Sequence, residues 1–190
     1  MSLLINRFNK WGFIHIPKTG GTSVTSILKN SEGTEYVSTS HNHIGKFEDI
    51  EDYFIFTIVR NPFTRIASSY YHHCRDNGFK SFRKFVDTIY EYDYLHFPQS
   101  YFISNGSSPK KKVSFIGRYE NLHNDINEIF TKINVNGTLP HLNRNIIYDK
   151  HPNLNQEQYY KHFYTEEWMK DWVRERYEND FKIFNYGMDI

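Results

Sequence analysis

The stretch Gly12-Phe13-Ile14-His15-Ile16-Pro17-Lys18-Thr19-Gly20-Gly21-Thr22-Ser23 decides how this chain is read. Its first half is a short apolar run closed by proline, the pattern of a buried strand, and its second half is a glycine-rich turn. Beyond it Val24, Ile27 and Leu28 recur at helical spacing, with Thr22 or Ser23 placed to cap the helix. A strand, a glycine loop and a helix in that order let backbone N–H groups approach an anion, while the helix amino terminus adds positive potential. Lys18 precedes the glycines, so the loop is not a Walker A sequence, in which the lysine follows them. Taken alone, these residues serve a phosphate cradle and a tight turn with a solvated lysine equally well.

Outward from this stretch the chain alternates strands with helices. Tyr53 to Val59 is rich in β-branched and aromatic residues and reads as a second strand, followed at once by Asn61-Pro62, an N-cap with proline at the first helical position. Phe63, Ile66, Ala67, Tyr70 and Cys74 then form the apolar stripe of a helix. Ser81 to Tyr90 is predicted as a helix, and the stretch up to Lys112 as a partly irregular surface segment. Val113 to Ile116 is predicted as a third strand, with Leu122, Ile126, Ile129, Phe130 and Ile133 marking the helix after it. Near the carboxyl end Thr165 is expected to cap a long helix with Trp168, Met169, Trp172, Val173 and Tyr177 on its buried side. This alternation predicts an α/β protein with a P-loop-like three-layer fold, in which a mostly parallel central sheet is flanked by helices.

The length of 190 residues fits one domain, and residues 1–190 are read as such. A single cysteine, Cys74, excludes an internal disulfide framework, and no run of apolar residues is long enough to cross a membrane. No leader is evident at the amino terminus, so the expected location is cytoplasmic. With 23 basic and 22 acidic side chains, the chain has no overall field that gathers nucleic acid, and any anion site has to be local. The run Lys110-Lys111-Lys112 is too short to change that expectation, because such runs are ordinarily solvated loops.

Arg60 supplies a second anion-binding element. It stands at the end of a buried strand beside a helix amino terminus, and Ser68 follows it by eight residues, off the apolar stripe of that helix. Together the loop Pro17–Ser23 and the pair Arg60 and Ser68 resemble the donor site of the sulfotransferases. The likeness extends into Phe115-Ile116-Gly117-Arg118-Tyr119-Glu120-Asn121-Leu122, into His141-Leu142-Asn143-Arg144-Asn145, and into the segment from Tyr177 to Tyr186. It is strongest to the carbohydrate branch, which includes the heparan 2-O-sulfotransferases and related bacterial enzymes.

That resemblance implies a donor, 3'-phosphoadenosine 5'-phosphosulfate (PAPS), and assigns residues to it. Lys18, Thr19, Gly20, Gly21, Thr22 and Ser23 would take the 5'-phosphosulfate, Arg60 and Ser68 the 3'-phosphate, and Arg144 a further contact to it. His41-Asn42-His43 with Ile44 is similar to the His-x-His-Ile segment of the 2-O-sulfotransferases, which makes His43 the implied base and His41 an acceptor-binding residue. Histidine suits a proton acceptor because its unperturbed pKa lies near ~6.5. Arg118 and Glu120 are read as a supporting pair rather than as ligands. The expected reaction passes a sulfuryl group to a hydroxyl, on a carbohydrate by resemblance, with Lys18 stabilising charge on the leaving oxygen. No metal is expected: His72 and His73 are adjacent and point to different sides of a helix. Two other readings stay open here, a P-loop kinase-like phosphotransferase and a nucleotide-binding module without catalysis.

Overall fold

Leu3–Asn6 (β1) and Trp11–Ile14 (β2) are wholly buried strands joined by a turn of four residues. Asn6 organises that turn. Its Oδ1 accepts from the Asn9 N–H at 2.8 Å, and its Nδ2 donates to the Glu32 carbonyl at 2.8 Å and to Thr34 Oγ1 at 3.1 Å. So short a connection can only join antiparallel strands, and the register runs from Leu3↔Ile14 to Asn6↔Trp11. Thr34–Ser38 (β3) lies antiparallel on the other side of β1. Phe54–Val59 (β4) pairs parallel with β2, and Phe115–Arg118 (β5) pairs parallel with β4.

The result is a five-stranded open sheet in the order β3-β1-β2-β4-β5, flanked by helices. This corrects the expectation of a mostly parallel sheet: the three strands that carry the anion motifs are parallel, and the hairpin strand β1 makes the rest antiparallel. The structure is a computed structural model that describes residues 3–38, 44, 49–77, 81–92, 96–104, 113–140 and 156–190. Among these residues no helix is long and apolar enough to cross a membrane.

The chain divides into two compact units, residues 1–60 with 99–142, and residues 61–98 with 143–190. The first carries the sheet, with helices Gly21–Leu28 (α1), Gln99–Ile103 (α4) and Leu122–Lys132 (α5). Alternate residues of the central strands, Leu4, Trp11, Phe13, Phe56 and Ile58, point to one face and pack with Val24 and Leu28 of α1 and Ile126, Ile129 and Phe130 of α5. The apolar stripes read from the sequence are therefore the ones buried. At about 1.5–3 kcal/mol for each fully buried large apolar side chain, this cluster is a principal source of the unit's stability.

The second unit is helical, built from Pro62–Asn77 (α2), Phe82–Tyr92 (α3), Gln156–Phe163 (α6), Glu167–Arg176 (α7) and Glu178–Ile183 (α8). Asn61 caps α2 as expected, its Oδ1 accepting from the Phe63 N–H at 2.9 Å. The expected Thr165 cap is replaced: Glu166 occupies the N-cap of α7 without a side-chain bond to the helix backbone, and the Thr165 hydroxyl lies 3.9 Å from Met169 Sδ. Phe63, Ile66, Ala67, Phe85, Tyr164, Val173, Tyr177 and Phe181 form the core of this unit. Three of its buried polar side chains hold one short segment. Tyr177 donates to the His96 carbonyl at 2.8 Å, Arg65 donates to the Phe97 carbonyl at 3.0 Å, and the Ser69 hydroxyl meets His96 Nε2 at 2.6 Å. Burial pushes the Tyr177 hydroxyl above the ordinary tyrosine range, against an opposite pull from Arg65, so it stays a protonated donor.

Candidate active site

Parallel pairing brings three strand ends side by side. Ile14 is level with Thr57, and Val59 with Arg118, so the chain leaving β2, β4 and β5 emerges along one edge of the sheet. Ligands in open α/β sheets bind at that edge, beyond the carboxyl ends of the strands. Here it carries the loop Pro17–Gly20, then Arg60, then Tyr119.

The loop has an unusual backbone. Lys18 has φ 68° and Gly20 has φ 84°, both in the left-handed region, and Gly20 is the N-cap of α1 without any side-chain cap. A lysine in that conformation costs on the order of 1–2 kcal/mol, and such cost persists where the surroundings over-determine it. Alternation into the left-handed region turns successive N–H groups toward one side, the geometry of an anion-binding nest, and the helix amino terminus follows at once. Thr22 or Ser23 was the expected cap; Gly20 is the observed one, because its left-handed turn delivers the chain into the helix ahead of both.

Two side chains wall this loop. Thr19 is fully buried and its Oγ1 donates to the Ile16 carbonyl at 2.8 Å, so its hydroxyl braces the turn from within. The His15 ring lies against Gly21, where an added Cβ would come within 2.1 Å of His15 Cδ2 and 2.4 Å of Nε2. Only a residue without a side chain fits there. Ser23 is buried, Thr22 is exposed and Lys18 is half-buried.

Arg60 is 3% exposed, which is rare for an arginine and is sustained by its partners. Its Nη1 donates to the Lys18 carbonyl at 3.1 Å, and its guanidinium carbon stands 3.9 Å from the centroid of the Tyr119 ring. The backbone of Arg60 is held by Gln99, whose Oε1 accepts from the Arg60 N–H and whose Nε2 donates to the Arg60 carbonyl, both at 2.8 Å. The structure thus brings Arg60 and the Lys18 loop into direct contact. Asp125 closes the third strand end, with Oδ2 accepting from the Arg118 N–H at 2.6 Å and Oδ1 from Asn121 Nδ2 at 2.7 Å.

A sulfotransferase-family profile matches residues 1–187. The chain belongs to the sulfotransferase family. An uncharacterized protein of Archaeoglobus fulgidus is 39% identical to this sulfotransferase over 94 residues, which cover 48% of the chain and 76% of that relative. No solved structure matches it. Sulfuryl transfer is the chemistry of the family, and the loop and the buried arginine lie inside the matched span.

Of the residues singled out in the sequence, the sulfotransferase places Lys18, Thr19, Gly20, Gly21, Thr22, Ser23 and Arg60 at one sheet edge. Ser68 is half-buried on α2, in the second unit. His41, His43, Arg144 and Lys110 to Lys112 lie outside the described residues. Within those residues no three His, Cys, Asp or Glu side chains gather as a metal site. Sequence reasoning missed His15, Gln99 and Tyr119. Tyr119 sits inside the segment that carried the family likeness, whereas the contact that makes Gln99 matter spans 39 residues and leaves no local signal.

Proposed function

We propose that this enzyme transfers the sulfuryl group of PAPS to a hydroxyl of a carbohydrate acceptor. The observation that carries the reading is the joining of a buried arginine to the left-handed glycine loop, Arg60 Nη1 to the Lys18 carbonyl. Two anion-binding elements fixed to one another suit a donor with phosphates at both ends, and a single-phosphate ligand needs only one of them.

In this reading the backbone N–H groups of the loop and of the first turn of α1 hold the 5'-phosphosulfate, with the Thr22 and Ser23 hydroxyls adding donors. Thr19 contributes through the main chain, since its hydroxyl is used inside the turn. Arg60 binds the 3'-phosphate with Ser68 and Arg144. The acceptor oxygen bonds to sulfur in line as the bond from sulfur to the bridging phosphate oxygen breaks. The Lys18 ammonium stabilises the charge that gathers on that oxygen, and His43 takes the acceptor proton, with His41 binding the acceptor. The products are adenosine 3',5'-bisphosphate and a sulfate ester, and no metal takes part. The carbohydrate acceptor and the histidine base rest on resemblance to the carbohydrate branch.

Calorimetric titration of the purified protein with adenosine 3',5'-bisphosphate tests this, with ADP plus magnesium as the comparison. Metal-independent binding of the bisphosphate that Arg60→Ala strongly weakens is the expected result. Preference for ADP with magnesium overturns it in favour of phosphoryl transfer.

A further inference from the structure

We infer that Gln99 is the positioning residue for Arg60, and that it sets the enzyme's preference for a 3'-phosphorylated donor. This rests on the assignment of Arg60 to the 3'-phosphate. Arg60 follows the last residue of β4, where the ladder with β5 ends at Val59↔Arg118. A backbone just past a ladder has lost the pairing that fixes its direction, and a buried N–H and carbonyl there need other partners. Gln99, itself 0% exposed, supplies both, accepting at Oε1 and donating at Nε2 over 2.8 Å each. Its carboxamide stands in for one residue of a neighbouring strand.

The two bonds act on the peptide groups on either side of the Arg60 Cα, and so fix the direction in which the side chain leaves. Once aimed, the guanidinium reaches the Lys18 carbonyl and the Tyr119 ring. Few side chains can replace this clamp. Glutamate offers two acceptors and no donor when ionised, asparagine is one methylene shorter, and methionine has the shape without the hydrogen bonds. A protonated glutamate, with one O–H donor and one carbonyl acceptor, reproduces the carboxamide pattern.

The test compares adenosine 3',5'-bisphosphate with adenosine 5'-phosphate, which lacks the group Arg60 holds, on the wild type, Gln99→Met, Arg60→Ala and the double variant. Gln99→Met is expected to weaken the bisphosphate by about 10- to 100-fold, the cost of an ångström-scale misplacement, and to leave the monophosphate within about 3-fold. In the Arg60→Ala background it is expected to add little, since residues acting through one contact are not additive. Gln99→Glu guards against a misfolded methionine variant: its bisphosphate affinity, taken relative to the wild type at each pH, is expected to recover as pH falls and the buried carboxyl protonates. Bisphosphate binding by Gln99→Met equal to the wild type, equal loss of both nucleotides, additivity with Arg60→Ala, or a flat Gln99→Glu profile each overturns the role of Gln99 alone. A wild type that does not prefer the bisphosphate overturns the assignment of Arg60, and this inference with it.

Discussion

Gly21→Ala is the sharpest perturbation of the loop, because its effect follows from a single contact. The added methyl carbon would stand 2.1 Å from His15 Cδ2 and 2.4 Å from Nε2, an ångström or more short of the 3.4 Å at which ordinary contact begins. Gly21 does not have a left-handed backbone, so the clash, and no conformational preference, is the cause. Either the His15 ring or the first turn of α1 has to move. Overpacking of this kind costs about 1–3 kcal/mol, and at this chain length a fall in Tm of roughly 2–12 °C follows. If α1 moves, the N–H groups proposed to hold the phosphosulfate move by about 1 Å, which lowers turnover by up to ~100-fold. Thermal melting and PAPS turnover measure the two effects. Pairing Gly21→Ala with His15→Ala removes the ring and is expected to restore much of both, measured against His15→Ala alone. A Gly21→Ala enzyme with unchanged melting and turnover, or a double variant with no recovery, refutes the packing argument.

Lys18→Ala is expected to lower turnover by about 100- to 1,000-fold while changing bisphosphate affinity only a few-fold, because the ammonium is proposed to act on charge that develops during transfer. Parallel loss of rate and affinity, read from kinetics and titration, contradicts that role. Tyr177→Phe is expected to lose about 1–3 kcal/mol in denaturant unfolding at neutral pH, since the His96 carbonyl is left without this donor. The raised Tyr177 pKa also gives a signed pH dependence. Above pH ~10 the unfolded chain releases this proton and the folded chain retains it, so the wild type loses stability as pH rises toward the folded pKa. The difference between wild type and Tyr177→Phe is therefore expected to narrow above pH ~10, and a constant difference contradicts the assignment.

What the sequence disclosed was local. The strand, glycine loop and helix around Pro17–Ser23, the Asn61 cap and the apolar stripes of α1, α2 and α5 are written in neighbours a few residues apart, and each is present in the structure. β1 was not legible, because three apolar residues at Leu3–Ile5 become a strand only by pairing with Ile14–Gly12 and with Ser38–Glu35. That omission is what made the sheet look mostly parallel. Thr19 shows another limit: a threonine in an anion loop offers its hydroxyl outward or back to its own turn, and the choice of the Ile16 carbonyl depends on burial that spacing does not reveal. Arg60 was recognised by its place after an apolar strand, but what aims it, Gln99 and Tyr119, comes from distant parts of the chain.

The bond between Arg60 and Gln99 has a consequence for how this enzyme can diverge. The chain leaves its sheet-bearing unit at Arg60 and returns to it at Gln99, so the two residues that bond to one another are also the ends of the excursion through residues 61–98. Lengthening a connection between helices within that excursion costs only slowly growing loop entropy, and the hydrogen bonds between its ends are unaffected. A lineage can therefore change the length of such connections while the strand end proposed to grip the donor stays in place, provided the apolar face of α3 that the second core buries is kept.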